Sequence, residues 1–470
     1  MKKKYVRWTL WTIASPFILF IILCILIYLP PIQNFLVDKA AVYASEATGM
    51  NISVGRISLS FPLNLVVTDV DAASPHNDTL LSVRRLQVNV QLLPLLKKQV
   101  EVDGISLQGA TVNSNDLIHG MKLNGTLGEL FISSHGVALD PETAIVNKVL
   151  LKDTDLSLCL NDTAAVDTAA SDTTYWKIIL QDIDLQNVSF ALDMPLDSLS
   201  LAASLDNAIL RDGLIDLHKS AYSLQTFRIE NGRVRYDNGK PLAADSLSSG
   251  LDPSHIALTD IGVKLDSLYY GGRNMKAIIS QFVLKERSGV EIVSATGRMV
   301  SNDKVLRVPS LKLETRDSYL ELNAAMDWNA LDFKGEGLMS ARLMADIGKP
   351  DVVRFMGRMD EKFVRQYPSE PLRIRTGIDG DLNKLKLTTL TAELPGALGL
   401  FARGELTHLT DSLLRGGDIT LEAETKDLKF VSTLAEGIEI PYGTRLEGKF
   451  TMAGAKMGTD LLLMQPEAQA

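Results

Sequence analysis

Leu80-Leu-Ser-Val-Arg-Arg-Leu-Gln-Val-Asn-Val-Gln-Leu92 is the stretch on which the fold turns. Leu86, Val88, Val90 and Leu92 fall on one side of an extended chain, and Arg85, Gln87, Asn89 and Gln91 on the other. Successive strand side chains point to opposite faces, so this alternation marks a strand with one face out of water. Leu156, Leu158 and Leu160 stand opposite Asp155, Ser157 and Asn161 in the same way, and Val188, Phe190 and Leu192 repeat the spacing. The longest run is Leu320, Leu322, Ala324, Met326 and Trp328, with Glu321, Asn323 and Asp327 turned away, enough for a strand of about 30 Å.

Between such runs lie Asp103-Gly104, Gln108-Gly109, Asn231-Gly232 and Asp379-Gly380, which read as hairpin turns. Links this short predict antiparallel meanders. A chain of 470 residues is too long for one compact domain unless it is elongated or repeated. Gly337 to Ile347 resembles Gly417 to Leu428, where Ile419 and Leu421 take the apolar positions, and an alternating strand precedes each copy. The expectation is therefore an all-β, elongated, antiparallel curled sheet built from repeats. Arg445 to Met464 reads as a further strand pair just beginning, as in a piece of a longer protein.

Before the strands, Lys2, Lys3, Lys4 and Arg7 precede an uncharged run from Trp8 to Leu29. As a helix, Thr9–Leu29 spans about 31 Å, one bilayer core. The basic flank keeps the N-terminus cytoplasmic and sends the remainder across. Phe17 and Phe20 lie within this anchor, with Trp8, Trp11 and Tyr28 as interfacial side chains. A cleaved signal peptide is the rival, but the run is long for one and Pro30-Pro31 stands where a cleavage site would. Ile32, Phe35, Leu36, Ala40, Tyr43 and Ala47 recur at helical spacing up to Gly49, predicting a connecting amphipathic helix over residues 31–50.

The reading thus divides the chain into an anchor (1–30), the connecting helix (31–50), a first β unit (51–160), a loop (161–174) and β repeats (175–330 and 331–470). The loop, rich in Asp, Thr, Ala and Ser, has little to bury, and Asn238 to Ser254 is similar. Pro350 opens a helix near 350–366, with Val352, Val353, Phe355, Met356, Met359 and Phe363 on one side, suited to cover the end of a sheet.

The net charge of −9, on a chain whose first seven residues carry four positive charges, gives nucleic-acid binding no support. Of two cysteines, Cys24 sits in the anchor, leaving Cys159 without an intramolecular partner. The six histidines are scattered singly, and no nucleotide, hydrolase or zinc signature is present. Asp69/Asp71, Asp153/Asp155, Asp182/Asp184 and Asp379/Asp381 lack calcium-loop spacing and read as solvated strand ends or turns. No catalytic, metal or cofactor site is expected, and the chain does not read as an enzyme.

Val54-Gly-Arg-Ile-Ser-Leu-Ser-Phe-Pro-Leu-Asn-Leu-Val-Val-Thr-Asp-Val70 leads into Leu80 to Leu92 and then Leu95-Leu-Lys-Lys-Gln-Val-Glu-Val-Asp-Gly-Ile-Ser-Leu-Gln-Gly-Ala-Thr-Val112. With the anchor, this resembles the N-terminal unit of the AsmA-like superfamily; the likeness extends more loosely to Ile178–Leu192 and Ile256–Tyr270. The resemblance implies a protein of the inner membrane of a diderm bacterium, with its bulk in the periplasm as a curled sheet enclosing an apolar groove. It further implies phospholipid as cargo and a part in outer-membrane biogenesis. The family's C-terminal region, which meets a BamA-like outer-membrane barrel, has no counterpart here. Alternation alone fits a closed sandwich or solenoid better than a groove; on the resemblance, the lipid-facing candidates are Leu86, Val88, Val90, Leu92, Leu156, Leu158, Leu160, Leu320, Leu322, Met326, Ile419 and Leu421. A scaffold that adds barrel strands to its edge, and more distantly a surface stalk or adhesin, are the other readings.

Overall fold

The computed structural model describes residues 39–465 apart from 40, 44, 47, 61–63, 76–77, 92–101, 115–119, 139–141, 162–174, 241–249, 333–335, 358–360, 435–439 and 455. The anchor and its residues Trp8, Trp11, Phe17, Phe20 and Tyr28 lie outside this set, as do Leu92 and nearly all of the 161–174 loop. Among the described residues no helix is long and apolar enough to cross a membrane. The helical turns that precede the first strand end where expected, at Gly49 with φ 69° and its N–H on Ser45 O at 2.9 Å. Tyr43, placed on the apolar side of that helix, is 75% exposed.

The protein is all-β, with twenty-two strands among the described residues, and it divides into two units, Met1–Ala208 and Ile209–Ala470. The first unit holds β1 (Asn51–Ser60), β2 (Asn64–Ala73), β3 (Thr79–Val90), β4 (Val102–Asn113), β5 (Met121–Ala138), β6 (Thr143–Leu160) and β7 (Lys177–Met194). Each pairs with the next, antiparallel from β1 to β6. The meander fails once, because β6 and β7 are parallel, with Thr143 beside Lys177 and Cys159 beside Asp193. Residues 161–176 connect them, and a connection of that length permits the crossover a parallel pair requires.

Three of the four expected hairpin turns fall inside strands. Asp103-Gly104 and Gln108-Gly109 are within β4, and Asn231-Gly232 is within β10 (Thr226–Asp237); only Asp379-Gly380 leads into a hairpin. For Gln108-Gly109 the physical reason is visible in the first unit. Gly55, Asp69, Arg84, Gly109, Gly128, Asp153 and Asn187 stand in one line across all seven strands, and the paired register skips that line on every strand. Asp69, Gly109, Asp153 and Asn187 there have φ between 49° and 63°. Asn, Asp and Gly tolerate this left-handed region best. Two consecutive residues then turn outward, such as Gly55 with Arg56, Arg84 with Arg85 and Gln186 with Asn187, all exposed. The alternation shifts by one across this crease, so both arms of each strand keep their apolar residues on the same side.

The second unit continues in the same style. After β8 (Leu199–Asp216), which straddles the division, come β9 (Ala221–Leu224), β10, β11 (His255–Gly271), β12 (Asn274–Glu286) and β13 (Glu291–Ser301). Then follow β14 (Val305–Thr315), β15 (Tyr319–Asp327), β16 (Met339–Ile347), β17 (Leu372–Gly380) and β18 (Lys384–Leu394). The unit closes with β19 (Leu398–Thr407), β20 (Gly416–Thr425), β21 (Arg445–Ala453) and β22 (Lys456–Met464). From β10 onward each pairs antiparallel with the next. The two similar segments become β16 and β20, four strands apart, and the expected final pair is β21 and β22.

The helix expected near 350–366 is split into α1 (Lys349–Met356) and α2 (Glu361–Gln366). Gly357 ends α1 with φ 73° and ψ −134°, so the apolar side is not continuous. Phe363 is 1% exposed and Val352 packs against its cluster, whereas Phe355 and Met356 are 56% and 47% exposed; Met359 is outside the described residues.

Candidate functional site

Reading the pairing register across the strands turns the alternation into continuous rows. In the first unit Ile57, Val67, Leu86, Leu107, Leu130, Leu151 and Leu185 are successive cross-strand neighbours, and so are Leu59, Leu65, Val88, Ile105, Ile132, Val149 and Ile183. Beyond the crease a further row runs Ile52, Ala72, Leu81, Val112, Gly125, Leu156 and Phe190. Leu158 joins Leu123 and Leu192, Leu160 faces Met121, and Val90 faces Val102. Every described candidate of this unit thus sits in an apolar row.

In the second unit one row crosses thirteen strands, from β10 to β22: Phe227, Leu265, Ile279, Gly297, Leu311, Leu322, Leu343, Thr376, Leu390, Ala402, Leu421, Gly448 and Leu461. Thr376 is its single polar member. Leu320, Met326 and Ile419 each belong to parallel rows on the same side. Neighbouring positions on the other side are polar, as in Lys312 opposite Glu321 and Lys386 opposite Glu405.

These rows are not a sealed core. Leu86, Val88, Leu156, Leu158, Leu320, Leu322, Met326, Ile419 and Leu421 are all half-buried. Sixteen apolar residues among those described are buried, and eight of them are alanines, whose burial needs only neighbouring strands. A sandwich would instead interleave two inner faces about 10 Å apart and bury the large side chains of both.

One patch of the second unit is closed. Phe363 and Tyr367 from the α2 region, Phe430 beside the 3₁₀ turn Val431–Thr433, and Leu394, Ala397 and Leu428 form a buried cluster at one end of β17–β20. The three rings meet at centroid distances of 5.1–5.8 Å, in tilted or edge-on geometry favourable for aromatic pairs. Burial pushes the Tyr367 hydroxyl above its ordinary pKa. The helical spacing around Phe363 hinted at such a cover, but Phe430 lies in a short irregular segment with no period to announce it.

The cover is tied down by Asp351, 1% exposed, which accepts hydrogen bonds from Thr315 Oγ1, from Ser318 Oγ at 2.6 Å and from Arg354 Nη1 at 3.1 Å. Arg354 Nη1 also reaches Asp317 Oδ2 at 2.8 Å. Burial disfavours its charge, but the two carboxylates outweigh that and hold its pKa above the ordinary value. Among the described residues no three His, Cys, Asp or Glu side chains gather as a metal ligand set. Compared with known protein families and with curated proteins, the chain matches none.

Proposed function

We propose that the protein is an inner-membrane-anchored, periplasmic β-groove protein that carries phospholipid acyl chains along its apolar face toward the outer membrane. The observation that carries this reading is the set of apolar rows, seven strands long in the first unit and thirteen in the second, whose large side chains stay half-buried among the described residues. An acyl chain supplies what such a face lacks. Each methylene removed from water contributes about 0.8 kcal/mol, so a chain of a dozen half-covered methylenes gains roughly 5 kcal/mol. The gain is non-directional and repeats from strand to strand, so a chain can slide without leaving the apolar surface. The likeness of Val54–Val112 and the anchor to AsmA-like proteins, TamB above all, points the same way.

Native mass spectrometry with lipid extraction on the full chain tests this. Several phospholipids per chain are expected, with occupancy reduced by Leu322→Asp and by Leu421→Asp in a protein that remains folded. A folded, lipid-free wild type, or variants that lose the fold without any change in lipid, overturns the reading.

A further inference from the structure

The polar side of β14–β18 carries a hollow of about 540 Å³, unexpected on a face that alternation predicts to be a plain solvated surface. Its floor is made of small residues, Ala325, Ser340 and Gly377, and it is flanked by two irregularities in the ladder. On β14, Pro309 and Ser310 interrupt the pairing between Val308 and Leu311; on β18, Thr388 is the extra residue between the partners of Gly377 and Ile378. Bulges re-aim side chains and are concentrated near functional sites. Thr388 leans over Gly377 and donates to its carbonyl oxygen at 2.9 Å; a Cβ on Gly377 would lie 2.5 Å from the Thr388 hydroxyl.

The charged residues lining the hollow are Arg307, Arg342 and Asp379, so its lining is net positive. Elsewhere on these strands the basic side chains have acidic partners: Arg375 with Asp346 at 2.7 Å, Arg373 with Glu393 at 3.8 Å and Lys384 with Glu405 at 3.3 Å. Arg307 and Arg342, both exposed and both lining the hollow, make no ion pair or hydrogen bond among the described residues. The cross-strand neighbours of Asp379 on the same face are Ser340 and Lys386. Asn323, Ser340 and Thr388 add neutral hydrogen-bonding groups.

We infer that this hollow is a binding site for a phosphate-type anion, held between the guanidinium groups of Arg307 and Arg342. A guanidinium presents a fork of donors that matches two oxygens of a phosphate or carboxylate, and two forks over a small-residue floor suit a tetrahedral anion better than a flat one. In an acidic chain, unpaired arginines beside a recess built by two bulges have no packing task that would explain them. The site lies on the side opposite the apolar rows, so it is independent of the lipid-conduit reading. The anion is either a free phosphate or a phospholipid headgroup, since both present the same oxygens.

The test is calorimetric titration of inorganic phosphate into the full chain in a maltoside detergent, which carries no phosphate, with wild type and Arg307→Gln/Arg342→Gln. Saturable binding is expected, weakened on the order of tenfold or more in the double variant, while Lys312→Gln, on the same face but outside the hollow, leaves it unchanged. Repeating the titration with phosphatidylglycerol added to the micelles separates the sources: suppressed phosphate binding identifies a headgroup as the occupant, and unaltered binding identifies a free anion. No saturable binding in maltoside alone, or equal binding by the double variant, overturns the site.

Discussion

Arg354 ties together segments far apart in the chain. Its side chain joins α1 to the β14–β15 turn through Asp351 and Asp317, and its carbonyl accepts the Leu251 N–H at 2.8 Å. Gly250, with φ 87°, comes so close to this helix end that a Cβ would lie 2.6 Å from Gly357 Cα. Nothing in the sequence marks Asp351 as buried, because an acid just after a proline at a helix start is ordinary; its burial depends on Thr315 and Ser318 arriving from another turn. Removing it leaves Arg354 partly buried with one carboxylate fewer and two hydroxyls unanswered. Asp351→Ala should therefore cost about 3–5 kcal/mol in urea unfolding of the second unit, whereas Asp351→Asn, which still accepts from the hydroxyls, should cost less. Equal losses would show that packing and not charge holds the knot.

A second residue-scale anchor has a defined pH response. Asp252 Oδ2 lies 2.9 Å from His255 Nδ1, and His255 is 6% exposed. The hydrogen bond from His255, aided by the Ser254 N–H, holds the Asp252 carboxyl below its ordinary pKa of 3.8. A depressed carboxylate contributes stability that is fully present above its unfolded pKa and lost as pH falls through the folded value. Protection of the Asn238 N–H, bonded to Ser254 O at 3.1 Å, should persist through pH 4 and decline only below the ordinary carboxylate range. In His255→Gln the decline should begin at higher pH, as followed by hydrogen exchange.

At the scale of the strand, alternation identified most elements and misread their punctuation. Leu320–Trp328 and Arg445–Met464 became β15 and the β21–β22 pair almost residue for residue. Gly109, read as part of a turn, and Asp69 and Asp153, whose acid pairs read as strand ends or turns, instead mark the crease. Both structures need a residue that accepts positive φ, so composition cannot separate a hairpin from a mid-strand kink. The distinguishing signal is the shift of apolar phase, from Val67 to Val70 or from Leu151 to Thr154 and Leu156, which is odd where an unbroken strand requires even steps.

The crease also explains why glycine faces an acid. A Cβ on Gly128 would lie 2.8 Å from Asp153 Cβ, and one on Gly55 would lie 2.9 Å from Asp69 Cβ. Asp153→Val should destabilise the first unit by about 1–3 kcal/mol, since a β-branched residue resists the left-handed region, while Asp153→Gly should be nearly neutral. Gly128→Ala should be destabilising alone and less so on the Asp153→Gly background, where the facing Cβ is gone. Additive effects in urea unfolding would mean the two positions do not meet as described.

For the molecule as a whole, the sequence carried the sidedness but not the layering. Half-buried leucines at i and i+2 look the same whether a second sheet covers them or not; what decides is the absence of large buried side chains along rows such as Leu311, Leu322 and Leu343. The parallel β6–β7 pair was equally illegible, because a polar connection fixes only how far the chain may travel and not where it returns. If the apolar rows conduct acyl chains, the two sides of each strand must differ sharply in what they touch in a membrane-bearing cell. A photoreactive benzophenone side chain placed at Leu107 or Leu343 should cross-link phospholipid, and the same group at Gln108 or Lys312, neighbouring positions turned outward, should not. Because Leu107 and Gln108 are successive residues of β4, differences in expression or insertion cannot produce the contrast within that pair. Cross-linking from both sides would indicate ordinary membrane proximity, and from neither would mean the apolar face is filled by protein.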